Sequence, residues 1–410
     1  MRRLWRSPTI RSAAVFGAAG VGFAAANLIL ARVLPPAEYA LVTLVVALVT
    51  VGVALAPAGM DGIVNRRHLE AGPRLLKRVL FATTSTGLVF ALVGALAYRT
   101  PATLTAMIFV ATAVGGAVVV AAAKFQSEKR FGLSLALSQS PNLILLLAAL
   151  VTATVGAREA WFALLMVTLG GIPAVIWGWR TLFSERHAKP ERSVEFPWNE
   201  AVSYAGMQTS GLLLVQLERL VLPHVLPLRD LATYGVLAAI AGSLFRVLQM
   251  GVGYSLVPRL RAAADVRQRR RLVAKEARLV GAAVLLGSVA IWVLTPALER
   301  WFLAGKFDLA GSLVLATVVS GVAKVVNAFS KSTASALATP RELAAVNVLG
   351  WVAVAIGLVG AIVGARWGLA GVIYGVALGW IVRSASSFYV AGRHLRLPAS
   401  EHALESATAP

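Results

Sequence analysis

Long apolar runs separated by short polar stretches make up most of the sequence. Twelve runs come near the roughly 20 residues that an α-helix needs to cross a bilayer. The predicted spans are residues 12–33, 39–59, 79–97, 103–123, 133–155, 160–179, 200–224, 231–257, 279–297, 309–330, 343–364 and 368–388. The pattern therefore predicts an all-α polytopic membrane protein with about 12 transmembrane helices.

The composition supports this class of protein. Hydrophobic residues make up 58% of the chain and charged residues only 14%, whereas soluble domains carry about a quarter charged residues. The opening "MRRLWRSPTIRS" resembles a signal peptide, but the apolar run after it is too long, which favours an uncleaved first helix. The chain has no cysteine, and its five histidines show no metal-ligand spacing. We therefore expect no cofactor and no metal.

The basic residues predict the orientation of the chain. Of 39 Lys and Arg residues, 29 fall at one side of the predicted spans when the end of the last span with Arg383 is counted there. Seven fall at the other side, including Arg32 at the end of the first span, and three lie deeper inside spans. Because cytoplasmic loops are enriched in Lys and Arg, both termini are predicted to be cytoplasmic. The basic run "RLRAAADVRQRRRLVAKEARL" (Arg259–Leu279) has two interpretations, a nucleic-acid patch or a cytoplasmic loop on anionic lipid. Its place between two spans favours the loop, so no nucleic-acid partner is expected.

Two similar stretches indicate an internal repeat. "VLPPAEYA" (Val33–Ala40) and "VLPLRDLA" (Val225–Ala232) lie 192 residues apart and join spans 1–2 and 7–8. Each has a proline that ends one helix and an acid at the start of the next. A generic helical hairpin would also look like this, but the offset divides the twelve spans equally. The repeat therefore predicts two parallel six-helix bundles.

The repeat gives the predicted domain organisation. We expect an N-terminal bundle at 1–190, a cytoplasmic linker at 191–199, a C-terminal bundle at 200–390 and a disordered cytoplasmic tail at 391–410. Pro57, Pro141 and Pro173 fall inside predicted spans, where they kink a helix. Such kinks either line a cavity or have no role.

Two segments carry a resemblance to a known family. They are "NLILARVLPPAEYALVTLVVALVTVGVALAPAGMDGIVNRR" (Asn27–Arg67) and "LERLVLPHVLPLRDLATYGVLAAIAGSLFRVLQMGVGYSLVPRL" (Leu217–Leu260). They resemble bacterial polysaccharide (O-antigen-type) flippases of the multidrug/oligosaccharidyl-lipid/polysaccharide exporter superfamily. The chain departs from that family's pattern at Ala40, where glycine is usual, and at Glu218, where aspartate is usual.

The resemblance implies a V-shaped exporter fold with helices 1, 2, 7 and 8 around a central cavity. It implies a multi-pass protein of the bacterial inner membrane that is not an enzyme. The implied cargo is a polyprenyl-pyrophosphate-linked oligosaccharide, moved to the outer leaflet by alternating access for surface polysaccharide biosynthesis. The implied partners are membrane lipids and assembly proteins such as a polysaccharide polymerase.

Three basic residues within spans are candidates for a cationic cavity: Arg246, Arg219 and Lys324. A charge inside a membrane is costly, so such residues usually face a cavity or a partner. Guanidinium groups suit phosphate oxygens. The alternatives are that Lys324 extends to the inner surface and that Arg219 pairs with Glu218 or reaches lipid headgroups.

Four further polar residues complete the candidate set. Asn27, Gln139 and Asn142 are candidate cavity or sugar contacts, or alternatively form helix–helix hydrogen bonds. Gln139 and Asn142 are three residues apart, so they are predicted to share a helix face. Glu218 is a candidate for ion coupling.

Three other functions compete with the flippase. A multidrug or cation antiporter of the same superfamily is the main alternative, but the resemblance implies that such exporters use membrane carboxylates. The first six spans hold no Asp or Glu well inside them. A membrane enzyme would need catalytic residues on a sizeable outer loop, and the longest such loop, about 298 to 308, is short. A peptidoglycan-precursor flippase is expected to have two more spans.

Overall fold

The computed structural model describes residues 8–184, 196–263 and 265–396. These residues form helices and connecting turns, without strands. The helices are α1 (Pro8–Val33), α2 (Pro36–Leu55), α3 (Met60–Arg67), α4 (Pro73–Ala97), α5 (Ala102–Ser127), α6 (Phe131–Val155), α7 (Ala160–Ser184), α8 (Trp198–Val225), α9 (Leu228–Ala262), α10 (Val266–Ala297), α11 (Gly311–Leu337), α12 (Pro340–Gly364) and α13 (Gly368–Arg396). A π-helical turn, Leu298–Phe302, follows α10, and a 3-10 turn, Ala365–Trp367, joins α12 to α13.

Every predicted span coincides with one long helix. In the described part of the chain, twelve helices have at least 20 residues and only α3 is short, with 8. By length and composition, nine described stretches can cross a membrane, one of which, Arg341–Arg396, contains both α12 and α13. A shorter apolar helix covers Gly17–Val33. The chain is thus an all-α polytopic membrane protein. The charged helix α8 is not among these stretches.

The two predicted hairpins are equivalent in the structure. Helix α1 ends at Val33 and α8 at Val225, whereas α2 begins at Pro36 and α9 at Leu228. Both pairs of helix ends therefore have the 192-residue offset of the sequence repeat. An acid lies in the first turn of each second helix, where the positive end of the helix dipole stabilises it.

The two repeats differ in where the second helix ends, and a proline is present at that point in only one of them. The prediction that Pro57 lies inside a span is wrong, because α2 ends at Leu55 and Pro57 lies in the turn before α3. The counterpart of Pro57 at the repeat offset is Gln249, which donates a backbone N–H, and α9 continues through it. Pro141 and Pro173 do lie inside α6 and α7, as predicted.

The basic run at Arg259–Leu279 is more helical than predicted. The predicted spans 231–257 and 279–297 leave a loop at 258–278, but α9 continues to Ala262 and α10 begins at Val266. The side chain of Asp265 accepts a hydrogen bond of 2.6 Å from the backbone N–H of Gln268, and this cap starts α10. Charged residues thus extend the helices beyond their apolar parts.

The described residues divide into two compact units, with the contact boundary near residue 240, inside α9. One unit covers residues from 14 to 239, and the other covers residues from 240 onward together with residues 8–13. The predicted division into bundles at 191–199 stays a prediction, and most of that linker lies outside the described residues. Helix α13 runs to Arg396, and the predicted tail beyond it also lies outside them.

The unit from 14 to 239 has a core of large apolar side chains under α3. Met60, Ile63 and Val64 of α3 pack with Phe125 of α5 and Trp179 of α7. The Trp179 indole N–H donates to the carbonyl of Ala117 at 3.2 Å, so the buried ring keeps its polar group satisfied. This packing fixes α3 against the membrane helices.

A single glycine fixes the turn before α3. Gly59 has a φ of +80°, a left-handed conformation that non-glycine residues rarely adopt. A Cβ atom at Gly59 would overlap the backbone carbonyl of Ala201, near the start of α8. The turn therefore packs directly on the α8 backbone, which brings α3 and α8 together.

Close backbone contact joins α12 to α13 in the other unit. Gly360 faces Gly375, and Gly364 faces Gly371, so tightly that a Cβ atom on any of the four would overlap the opposite backbone. Small residues four apart let membrane helices approach closely and gain van der Waals contact. The C-terminal helices are therefore a tightly packed hairpin.

Candidate functional site

A buried polar cluster lies among α2, α8 and α9 in the unit from 14 to 239. Tyr39, Glu218 and Tyr234 are buried, and Arg219 is half-buried. The Tyr234 hydroxyl donates a hydrogen bond to the Glu218 carboxylate. Gly235 brings α9 so close to α2 that a Cβ atom there would lie 2.6 Å from the Thr43 hydroxyl.

Arg219 does not use Glu218 as its hydrogen-bond partner. Its Nη1 donates to the Gln216 amide oxygen at 2.8 Å, and its Nε has no acceptor among the described residues. Arg219 lies six residues before the end of α8, or about 9 Å along the helix. The sequence therefore identified a charge inside a helix correctly, but not its partner.

Glu218 is enclosed by the protein. Its side chain has 0% exposure, and it touches Tyr234 of α9. Ion coupling at Glu218 stays a prediction, and an ion would need an opening of the α8–α9 contact to reach it.

The predicted amide contacts are bonded within their own helices. Asn27 is buried, and its Nδ2 donates to the carbonyl of Phe23 at 2.8 Å, one turn earlier in α1. Asn142 donates to the Gln139 side-chain oxygen at 3.0 Å, and both are half-buried. This bond confirms that Gln139 and Asn142 share one face of α6. Their role as sugar contacts stays a prediction.

Arg246 and Lys324 belong to the unit that begins at 240. Arg246 lies near the middle of α9, and its side chain is exposed. Lys324 of α11 is half-buried, with its Nζ 6.0 Å from the centre of the Trp380 ring. Cations at this distance are attracted by the face of an indole ring. The geometry thus gives Arg246 an accessible surface and Lys324 an aromatic neighbour.

Sequence reasoning missed two basic residues near Lys324. It counted Arg383 with the cytoplasmic end of the last helix and Lys331 with a cytoplasmic loop. The structure places Lys331 inside α11 and Arg383 in α13, buried at 4% exposure. The spacing of Trp380 and Arg383, three residues apart on one helix, was the available signal.

Sequence reasoning also missed a polar cavity that α3, α5 and α8 line together. It has a volume of about 430 Å³ and is lined mainly by Asp61, Asn65, Arg66, Gln126, Tyr204 and Gln208. These residues come from α3, α5 and α8, which are distant in the sequence.

Asp61 is the titratable carboxyl group of this cavity. Burial raises the pKa of Asp61 above its usual value, and hydrogen bonds from the backbone and from Gln208 only partly oppose that shift. Burial thus makes ionisation of this carboxyl group less favourable than that of an exposed one.

Ion pairs join α3 to the start of α8 at the edge of the cavity. Arg66 contacts Glu200 at 2.8 Å and the Tyr204 hydroxyl at 3.2 Å, and Arg67 contacts Glu200 at 2.7 Å. Both arginines are exposed, so these pairs contribute little stability but fix the geometry of the edge.

Comparison with known proteins identifies the fold. No protein-family model matches the chain, and no curated protein matches it in sequence. Solved structures do match it. A multidrug resistance MATE family transporter of the MOP superfamily, in an inward-facing conformation, has a TM-score of 0.71 at 14% identity, over 95% of this chain and 96% of that one. This chain has the exporter fold.

Two further structures share this fold. The lipid II flippase MurJ, in an inward closed conformation, has a TM-score of 0.67 at 9% identity, over 93% of this chain and 87% of that one. A MATE in the straight conformation has a TM-score of 0.56 at 13% identity, over 98% of both chains. The expectation of an exporter fold is thus confirmed. Identities this low show the fold alone.

Proposed function

We propose that the protein is a flippase for a polyprenyl-pyrophosphate-linked oligosaccharide. It moves this cargo from the inner to the outer leaflet of the bacterial inner membrane by alternating access, for surface polysaccharide biosynthesis. Both termini face the cytoplasm, as the distribution of Lys and Arg indicates. The fold supports transport, since both multidrug transporters and the lipid II flippase share it.

The observation that carries this proposal is the sign of the charge inside the helices. Arg219, Arg246 and Lys324 lie well within predicted spans, and Glu218 is the one acid placed comparably deep. A pyrophosphate that crosses a low-dielectric region needs positive counter-charge. Guanidinium groups supply it with donors that match phosphate oxygens. The cargo is therefore anionic.

A multidrug or cation antiporter is the second candidate function. The similarity in fold to a multidrug resistance transporter favours it. A cationic cargo, however, needs a carboxylate that it can reach, and Glu218 is enclosed and bonded to Tyr234. The charge pattern therefore favours the flippase.

The deciding experiment measures lipids in a strain that lacks the gene. A flippase predicts that a polyprenyl-linked oligosaccharide accumulates in the lipid extract while surface polysaccharide is lost. Complementation with the intact gene must reverse both effects. An unchanged lipid extract together with altered resistance to cationic drugs would instead support the antiporter.

A further inference from the structure

A second polar cluster lies on α11 and α13, in the unit that begins at 240. On α11, Asn327 lies three residues and Lys331 seven residues after Lys324, so the three side chains lie along one face of that helix. Trp380 and Arg383 are three residues apart on α13, which packs against α11. We call these five residues the α11–α13 basic cluster.

The centre of this cluster is buried. Trp380 and Arg383 are each 4% exposed, and Asn327 is 5% exposed. The Lys324 ammonium and the Arg383 guanidinium both lie 6.0 Å from the centre of the Trp380 ring. Lys331 is exposed, so the cluster has an open side.

The two helices contain no acidic residue to balance this charge. Neither α11 nor α13 includes an Asp or a Glu. On the neighbouring helices, Glu276 of α10 pairs with Arg259, and Glu342 of α12 contacts His394 and Arg393. Neither α11 nor α13 therefore supplies an acid to the cluster.

Two buried donors in the cluster have no acceptor. Within the described residues, neither the Asn327 Nδ2 nor the Trp380 Nε1 makes a hydrogen bond. Buried polar groups in proteins are nearly always hydrogen-bonded, so such donors require an explanation. Cation–π contacts with the Trp380 ring attract the two cations but leave these N–H groups unsatisfied. An anionic group with several acceptor oxygens supplies the kind of partner that such donors lack.

We propose that the α11–α13 basic cluster binds the phosphate group of a lipid. A phosphate brings negative charge and several acceptor oxygens, which match a guanidinium, ammonium groups and N–H donors together. Lys331 lies six residues, or about 9 Å, from the end of α11 that the charge pattern places in the cytoplasm. The Lys331 end of the cluster therefore lies near the depth of the inner-leaflet phosphates, and Lys324 lies two turns deeper.

Two sources supply this chemistry. One is the pyrophosphate of the cargo waiting to be transported, and this source rests on the proposed function. The other is the headgroup of an inner-leaflet phospholipid, and this source is independent of the proposed function. Both require the same residues, so the experiment must compare the two ligands directly.

The test measures binding to the purified full-length protein in a neutral detergent. The probes are farnesyl pyrophosphate, dioctanoyl phosphatidylglycerol and, as the uncharged control, farnesol. We expect saturable binding of a phosphate-bearing probe and none of farnesol. Asn327→Leu and Arg383→Gln should each weaken that binding about tenfold, as expected for a lost donor to a charged group. Arg366→Gln, at an exposed turn, is the matched control and should bind normally.

The variants also separate binding from folding. Arg383 is buried, whereas Lys331 is exposed, so Lys331→Gln removes a charge without disturbing the packed interior. Equal binding by the wild type and all three variants would overturn the proposal, as would the absence of saturable binding by either phosphate probe.

Comparison of the two phosphate probes identifies the source of the bound phosphate group. Tighter binding of farnesyl pyrophosphate, with displacement of phosphatidylglycerol, identifies the cargo. Binding of phosphatidylglycerol without a preference for pyrophosphate identifies a membrane phospholipid and supports the site on that basis. The lipid extract of the deletion strain tests the flippase separately, because it does not depend on this cluster.

Discussion

Arg246 lies near the middle of α9 with an exposed side chain. An arginine at this depth in a membrane is costly unless it serves a ligand or a partner. The proposed function assigns it to the anionic part of the cargo. This assignment makes Arg246 the most informative single position for transport.

We expect Arg246→Ala to reduce transport by about 10- to 100-fold, since a hydrogen bond to a charged group contributes roughly 1.5–3 kcal/mol. Complementation of the deletion strain, scored by surface polysaccharide and by lipid-linked intermediate, measures this loss. Arg366→Ala is the control, because Arg366 is also an exposed arginine and lies in the turn after α12. Full complementation by Arg246→Ala, at normal protein levels, would exclude a role in transport.

Asp61 gives a prediction about pH. Its folded-state pKa is raised by burial, so the folded protein holds the proton more tightly than the unfolded chain. The free energy of unfolding therefore decreases as pH rises from the ordinary carboxyl pKa, about 4, through the raised value. Asp61→Asn removes the titrating carboxyl group, and with it this decrease in the free energy of unfolding. The variant should be more stable than wild type at neutral pH, with the difference shrinking toward about pH 4.

Thermal unfolding of the purified protein across this pH range measures the effect. Glu70→Gln is the control, because it removes a carboxylate from an exposed site in the loop after α3. If Asp61→Asn and wild type kept a constant difference at every pH, the Asp61 carboxyl group would not be the source of the pH dependence.

Single residues also show where sequence reasoning reaches its limit. Arg246 was placed correctly because a charge inside an apolar run is visible in the sequence. Arg383 and Lys331 were assigned to the cytoplasmic side, because the charge count used predicted edges and could not detect burial or the continuation of α11. The cavity at Asp61 and Gln208 depends on tertiary packing of α3 with α8, which no local pattern shows.

At the scale of elements, the apolar runs predicted all twelve long helices because a membrane span needs a minimum apolar length. The predicted positions of the helix ends were less accurate. Polar residues such as those after Asp265 continue a helix outside the membrane, where hydropathy carries no signal. The α12–α13 contact was not predicted either, because it depends on which glycines face each other.

That contact supports a prediction for stability. Gly371→Val places a side chain against the Gly364 backbone, and we expect a loss of about 1–3 kcal/mol, as for other overpacked sites. Gly392→Val is the matched control in the same helix, because nothing lies within 4 Å of its Cβ position. Melting temperatures of both variants in detergent measure the difference. Equal melting temperatures would show that α12 and α13 can separate without loss of stability.

At the scale of the whole molecule, the repeat and the charge bias predict a chain with both ends on one side. Phosphatase reporters, which are active only outside the cytoplasm, test this orientation. A fusion after residue 156 should be active, and a fusion after residue 264 should be inactive, because the predicted outer and inner loops lie there. The reverse pattern would invert the topology and move the α11–α13 basic cluster to the outer leaflet.

The glycine contact between α12 and α13 also has a consequence for biogenesis. A turn of three residues joins these helices, and together they form one apolar stretch from Arg341 to Arg396. Insertion of the last two spans therefore requires no long loop to be translocated between them. A nascent chain that stopped after Gly364 would expose the glycine face of α12 to lipid, without the van der Waals contact that α13 provides.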